Sequence, residues 1–336
     1  MRAWQIATFA SEPRAALRLA EVADPEPGPG ELLLRVRAVS LNYRDLLMAQ
    51  GRFNPRQPLP LVPCSDAVAE VIATGAGVSG FAAGDRVCPL FAPRWLAGEP
   101  ERERVRTTLG GPLDGTLRER MTIAAESVVR PPAHLGDVEA ATLPCTALTA
   151  WSALVVHGRV RAGETVLVLG TGGVALNALQ IARMHGARVI VTSSSDEKIE
   201  RARALGAEAG VNYRRETAWG KRVRELVPEG VDHVVELGGA GTLAESLRAV
   251  RIGGTIHLIG VLAAGEAPLS IVPVFMQHVR IQGIFVGHKE SFEAMNRAFA
   301  ASGVRPVVDR TVDFDDAPAA FEALAAGPFG KVTIRT

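Results

Sequence analysis

The residues Gly170-Thr171-Gly172-Gly173-Val174-Ala175 stand between an almost wholly apolar run, TVLVLG at 165–170, and a segment whose Val174, Ala178 and Ile181 recur at helical spacing. A strand, a glycine-rich turn and a helix in that order form a cradle for phosphate. Gly170 permits the tight turn, Gly172 lets a pyrophosphate approach the backbone, and the small Ala175 keeps helix and strand close. The helix N-terminal amides, from Gly173 and Val174 on, then face the phosphates. Glycines after a strand are often no more than a turn. The apolar strand before them and the helix after them place these in a βαβ unit, and so in a dinucleotide site.

About twenty residues further on comes VIVTSSSDEK, residues 189–198. In NAD sites an Asp or Glu ends the second strand and accepts hydrogen bonds from the adenosine ribose. Ser193 occupies that place here. A carboxylate would repel a 2′-phosphate, whereas a hydroxyl donates to it and Lys198 neutralises it. A plainer reading has Ser194 and Glu197 form a capping box for the next helix, with Lys198 as solvated surface. Capping needs only one serine, so both readings hold together, and the favoured cofactor is NADP(H) rather than NAD(H).

These groups need a doubly wound sheet to position them. Strands are expected at 165–170, 187–193, 209–213, 233–237, 255–261 and 280–285, and a helix over 196–205 closed by Gly206. Strands alternating with helical spacers give a parallel sheet of the Rossmann kind. The first ~130 residues are written differently, as short alternating runs broken by Gly and Pro. In ELLLRVRAVSL, at 31–41, Leu32, Leu34, Val36, Ala38 and Ser40 share one face and Leu33, Arg35 and Arg37 the other. The tail returns to this first domain, because VDRTVDF and KVTIRT read as strands. The expected division is 1–146 with 287–336 as a β-rich domain, and 147–286 as the nucleotide domain.

Bulk properties narrow the function. The 336 residues exceed one compact core, and a net charge of +1 with interspersed signs gives no electrostatic case for nucleic acid or an anionic membrane. The apolar stretch 140–156 is interrupted by Pro144 and threonines, and the N-terminus MRAWQIATFASEPR lacks a signal-peptide core. Three scattered cysteines, Cys64, Cys88 and Cys145, argue against a disulfide framework. The expectation is a soluble, cytoplasmic protein.

The order and spacing of PGPGELLLRVRAVSLNYRDLL, GAGVSGFAAGDRV, GGPLDGTLRERM, ATLPCTALTAW, LGTGGVA, SSSDEKIERARALGA and GKVTIRT resemble the medium-chain dehydrogenase/reductase superfamily, nearly end to end. Within it the chain looks most like the zinc-independent quinone oxidoreductase branch. The resemblance implies a GroES-like catalytic domain, a Rossmann nucleotide domain and a cleft between them. It implies that Ser193, Lys198 and Tyr213 surround a 2′-phosphate and that Thr149 lies on the nicotinamide side. It also implies that Gly238, Gly260, Val261, Phe285, Val286 and Gly287 line the nicotinamide pocket, and that Gly330 and Lys331 close over the cofactor.

Zinc relatives take their catalytic ligands from a C-x-x-D segment, a G-H-E segment and a later Cys. The matching segments here read Asn42-Tyr43-Arg44-Asp45 and Cys64-Ser65-Asp66, which leaves Cys145 alone. One thiol with an amide and a hydroxyl is a poor zinc site, Cys64 is one residue out of place, and Cys145 reads as a small buried apolar residue. The four cysteines of a structural zinc lobe are absent too, so no zinc is expected. Without a Lewis acid, hydride transfer to a quinone or an α,β-unsaturated carbonyl asks less of the protein than oxidising an alcohol. The expected function is therefore a zinc-free NADPH-dependent reductase of such small molecules. An alcohol dehydrogenase or enoyl reductase is the alternative, and a non-catalytic nucleotide-binding protein comes after it. The candidate catalytic residues are Asn42 to orient the substrate, Tyr43 as hydrogen-bond donor or core packing, and Asp45 to fix the local backbone. Phe53 stands near where several relatives carry a tyrosine. Arg94, Trp95 and the charged run 99–104 read as a solvated loop or short helix, and the histidines show no metal spacing. The exposed edge of the last strand, 280–285, suggests a homodimer.

Overall fold

The computed structural model describes residues 1–262 and 270–336. It divides into two compact units, Met1–Leu148 with Gly287–Thr336, and Thr149–Val286. The α/β class holds, with a GroES-like unit and a Rossmann unit.

In the second unit six strands run parallel in the spatial order Ala209–Asn212, Arg188–Ser193, Thr165–Leu169, Val231–Glu236, Val250–Leu258, Arg280–Gly283. That order reverses at Thr165–Leu169, whose five residues are all buried, as a strand covered on both faces requires. The helix Gly173–Met184 turns Ala175, Leu176, Ala178, Leu179, Ile181 and Ala182 inward. The chain leaves it through Gly186 at φ +77°, a left-handed turn that glycine adopts without penalty. The strand expected at 255–261 begins earlier, at Val250, because it pairs with Val231 through a register shift.

The first unit is a mainly antiparallel sheet around Glu31–Ser40, flanked by Asp66–Thr74 and Lys331–Arg335. The inward face of Glu31–Ser40 is the expected one: Leu32, Leu34, Val36, Ala38 and Ser40 are buried while Arg35 and Arg37 are exposed. The tail does join this sheet, with Val308–Asp313 beside Lys331–Arg335. The 94–107 segment differs from expectation in one respect. Its helix Arg102–Arg106 carries no buried residue, but Trp95 is buried, its ring edge on His288 and its Nε1 donating to Gly98 O at 2.9 Å. Lys289 N donates to Trp95 O at 3.1 Å, so a tryptophan pins this lobe to the helix Lys289–Ser302.

A second buried feature went unread in the sequence. His233 and His257 stack in the Rossmann unit with 3.2 Å between Nδ1 and Nε2, and His233 Nε2 meets Glu164 Oε2 at 3.1 Å. Burial, then the charges of His233, His157 and Arg280, push His257 down to about 3, and its Nδ1 has no partner. The folded state thus holds His257 neutral while the unfolded chain protonates it below about 6.5. Stability is intact above that pH and falls as pH drops toward about 3. Urea unfolding from pH 7 to 4 is expected to lose up to roughly 1.4 kcal/mol per pH unit more for the native chain than for His257→Gln. Equal pH slopes would remove the assignment.

Candidate active site

Three segments distant in sequence meet in the GroES-like unit because of strand register. Ser40 pairs with Asp66 on one side and with Thr333 on the other, so the chain leaving Glu31–Ser40 passes between the start of Asp66–Thr74 and the start of Lys331–Arg335. Leu41 N donates to Val332 O at 3.0 Å and continues the ladder. Asn42 then begins a short helix, and its backbone N–H is held by Asp45 Oδ2 at 2.7 Å.

The result is a buried polar network. Lys331 Nζ, 3% exposed, donates to Leu41 O at 2.5 Å and to Asn42 Oδ1 at 2.7 Å, and stands 4.0 Å from Asp66 Oδ2. Asn42 Nδ2 donates to Ser65 Oγ at 3.3 Å, Ser65 Oγ to Asp66 Oδ1 at 2.8 Å, and Cys145 N to Asp66 Oδ2 at 3.3 Å. Desolvation raises Asp66, opposed chiefly by the Lys331 ammonium. Desolvation also lifts Asp45 to about 6 against the pull of Arg44 and the Asn42 amide, and leaves Asp45 Oδ1 unpartnered. The thiol of Cys145, likewise desolvated, is pushed well above the ordinary thiol range.

A zinc ion does not fit this donor set. Asn42 Oδ1 is committed to an ammonium and Ser65 Oγ to a carboxylate, which leaves a single thiol, whereas zinc wants several thiolate or imidazole ligands. Among the described residues no group of three His, Cys, Asp or Glu side chains could hold a metal.

Several site expectations need correction. Lys331 was read as closing over a cofactor, but its ammonium is engaged inside the Asn42–Asp66 network. Asp45, by contrast, is fully buried with its Oδ2 accepting from the Asn42 backbone N–H, in line with its expected part in fixing the local backbone. Tyr43 is 39% exposed, which removes the core-packing reading. Cys145 is partly exposed rather than buried, and buried Cys64 precedes its strand with φ +69°. Gly330, at φ +96°, packs so closely on Val307 O that a Cβ would lie 2.5 Å away, which is reason enough for glycine.

The Rossmann unit gathers the phosphate and ribose candidates. Gly170 takes φ +82°, and neither it nor Gly172 has an atom within 4 Å of where a Cβ would stand. An open, left-handed turn before the 12-residue helix Gly173–Met184 is a cradle that fits a pyrophosphate. The helix after the serines is capped by Ser195, whose Oγ accepts from Lys198 N at 3.3 Å, and not by Ser194. The cause is the strand, which runs on to Ser193 and shifts the helix start to Asp196. Ser193 and Ser194 are thereby released from capping. Ser193 Oγ accepts from Ser195 N at 3.3 Å and keeps its own hydrogen to donate. Tyr213 N donates to Ser193 O at 3.1 Å, which brings Tyr213, 42% exposed, beside the serines. Asp196, the nearby acid, is bound by Asn212 Nδ2 at 2.7 Å and by Arg215.

Glu236 was missed because a strand-end glutamate carries no local signature. Fully buried, it accepts from Gly238 N at 2.8 Å, Gly239 N at 3.0 Å, Thr242 Oγ1 at 2.5 Å and Ser246 Oγ. It thereby moulds the turn that carries Gly238. A Cβ on Gly260 would lie 2.3 Å from Leu237 O, so Gly260 is required by contact between two turns. Val261 is exposed, Val286 is buried at φ +43° beside Phe285, and Thr149 is buried. Gly287 begins the return to the first unit.

Comparison with known proteins agrees with this geometry. The family described as alcohol dehydrogenase GroES-like domain matches residues 28–133, and that described as zinc-binding dehydrogenase matches 173–301. A zinc-type alcohol dehydrogenase-like protein of Schizosaccharomyces pombe is 39% identical over 91% of this chain and 91% of its own. An acryloyl-coenzyme A reductase of Metallosphaera sedula is 33% identical over 94% and 95%. A crystal structure of an NAD-dependent alcohol dehydrogenase superposes with a TM-score of 0.92 at 34% identity, covering all of both chains. With sheet order, turn and relatives in agreement, the chain belongs to the medium-chain dehydrogenase/reductase superfamily as an oxidoreductase.

Proposed function

We propose that the chain is a zinc-independent, NADPH-preferring reductase of α,β-unsaturated carbonyl compounds. One observation carries this reading: the positions that hold zinc in metal-dependent relatives form a closed hydrogen-bond network around an ammonium. Alcohol oxidation is harder without a Lewis acid to lower the alcohol pKa. A conjugated carbonyl needs only a hydrogen-bond donor, because its own π system spreads the developing charge. The acryloyl-coenzyme A reductase relative supports a conjugated acceptor, and quinones share the same electronic demand.

The residues that would hold the cofactor are Gly170, Gly172 and the amides from Gly173 and Val174 for the pyrophosphate, with Ser193, Ser194, Lys198 and Tyr213 around a 2′-phosphate. When bound, the reduced nicotinamide supplies a hydride from C4. The acceptor's π electrons then move onto its carbonyl oxygen, and the α-carbon takes a proton from solvent. Asn42 is the donor to that oxygen. Lys331 donates to its Oδ1, and its Nδ2 faces Ser65 Oγ and the Asp66 carboxylate, so the amide that would turn an N–H to the substrate is held in one orientation.

A homodimer is the proposed assembly. Ile252, Val261, Leu262, Ile271, Val272, Phe275 and Met276 are each more than half exposed in the Rossmann unit, which ends on the edge strand Arg280–Gly283. So much exposed apolar surface beside an open edge is what a two-fold copy covers. Sedimentation equilibrium returning the 35.6 kDa of one chain would remove this part of the reading.

Steady-state assays of NADPH and NADH against an enal, an enone, 9,10-phenanthrenequinone and simple alcohols, with chelator and elemental analysis, test the main proposal. Turnover of the conjugated acceptors without zinc is expected, and Asn42→Ala should lower kcat roughly 10²-fold, as loss of one oxyanion donor does. Alcohol oxidation abolished by chelator contradicts it. For the cofactor, Ser193→Asp should raise the KM for NADPH at least ten-fold relative to NADH by placing like charges together. Lys198→Ala should shift the ratio the same way, and an unmoved ratio in both variants means the serines do not read the phosphate.

A further inference from the structure

We propose that Asn212 and Arg215 are cofactor-specificity residues acting through Asp196: by occupying its carboxylate they offset a charge that would repel a 2′-phosphate at Ser193, an inference that rests on the NADPH reading above. Strand register brings the parts together. Asn212 is the partner of Ser193 across the parallel pair Ala209–Asn212 and Arg188–Ser193, and neighbouring strands lie about 4.8 Å apart. Three residues beyond Ser193, Asp196 opens the helix Asp196–Ala204. Asn212 Nδ2 donates to Asp196 Oδ1 at 2.7 Å, and the Arg215 guanidinium pairs with Asp196 Oδ2. Each oxygen of this carboxylate thus has its own donor, one from the end of the neighbouring strand and one from the turn that follows it.

The amide of Asn212 is built into this place at both ends. Its Oδ1 accepts from Arg214 N at 3.1 Å, while its backbone O accepts from Arg215 N at 3.1 Å and from Glu216 N at 2.9 Å. The turn therefore folds back on one residue and carries Arg215 to the start of the helix. A carboxylate joined to the strand beside Ser193 bears on the choice of cofactor. Free, it would repel a 2′-phosphate by like charge and accept from ribose hydroxyls, as the acid of an NAD site does. Occupied by an amide and a guanidinium, it does neither well. Glu197, the other acid of that first turn, is tied to neither residue. The Asp196 and Arg215 side chains are 47% and 74% exposed, so the offset is partial and sensitive to salt.

Two plainer readings are that the contacts only staple the turn to the helix, or that Arg215 meets the phosphate itself. Calorimetric binding of adenosine 2′,5′-bisphosphate and of 5′-AMP to the full chain separates them, since the two ligands differ only in the 2′-phosphate. Asn212→Ala and Arg215→Gln should each lower the affinity ratio about three- to five-fold at low salt, the range of one exposed like charge. The loss should shrink at high salt, which a purely structural role would not produce. With Asp196→Asn in place, neither change should move the ratio. A ratio unmoved in both single variants, or lowered equally in the presence of Asp196→Asn, overturns the inference. Should Asn212→Ala fail to fold, Arg215→Gln, at an exposed position, decides alone. The native ratio is scored separately. Equal affinity for the two ligands contradicts the NADPH reading, whereas the change between native chain and variants bears on Asn212 and Arg215 alone.

Discussion

The GroES-like unit depends on one buried cation. Lys331 reaches across 289 positions of sequence to bond Leu41 and Asn42, and no amount of solvent replaces its partners because it is 3% exposed. An ammonium moved into such a place loses several kcal/mol of hydration. Three acceptors offset that loss: two oxygens within hydrogen-bond distance and the Asp66 carboxylate at 4.0 Å. The dependence is mutual. Without the cation, Asp66 would be a fully buried carboxylate held by Asn42, Ser65 and the Cys145 amide with no charge to balance it. A buried pair of this kind is weak evidence for net stability. Its consequence is geometric: it ties the first long strand, the second and the last, and fixes which way the Asn42 amide faces.

The Rossmann unit solves the matching problem with backbone rather than charge. Its turn at Gly170 is left-handed and open, so an anion could approach the main chain and the helix amides there. The second turn is moulded by Glu236, which takes four donors from the residues that follow it. A loop whose shape is set by a fully buried carboxylate does not need its ligand to order it. Both turns are thus shaped by the protein's own atoms, as a site proposed to hold a flexible dinucleotide in one pose requires.

What could be read from the sequence follows from locality. The apolar run TVLVLG, the glycine turn and the alternating face of Glu31–Ser40 are local patterns, and each took the conformation its period demands. The serine strand was legible, but the cap was misplaced by one residue. Ser194 and Ser195 are chemically equal there, and only the reach of the strand to Ser193 decides between them. The buried partners of Lys331 are not legible in the GKV motif, because they lie at the other end of the chain and are chosen by strand pairing. Arg44 and Glu236 passed unread for the same reason. A half-buried arginine between Phe53 and Phe91, or a glutamate under a turn, is visible only once the fold assembles its neighbours.

On the proposed zinc-free reading, a built-in cation in place of a metal changes what chemistry is reachable. A zinc ion binds the reacting oxygen directly and carries two charges, so it can stabilise a full alkoxide. The Lys331 ammonium spends its hydrogen bonds on the protein and, on that reading, would act at one remove, through the amide of Asn42. A polarised amide N–H contributes on the order of 3–4 kcal/mol to a developing oxyanion. That is enough only where the substrate shares the charge, as an enolate or hydroquinone does. The ammonium also excludes the alternative, since a dication placed on Asn42 Oδ1 would face a positive group already 2.7 Å away. On the proposed reading the same substitution lowers the electrophilic power of the site and disfavours a metal there, and the two effects together would select acceptors that are already activated.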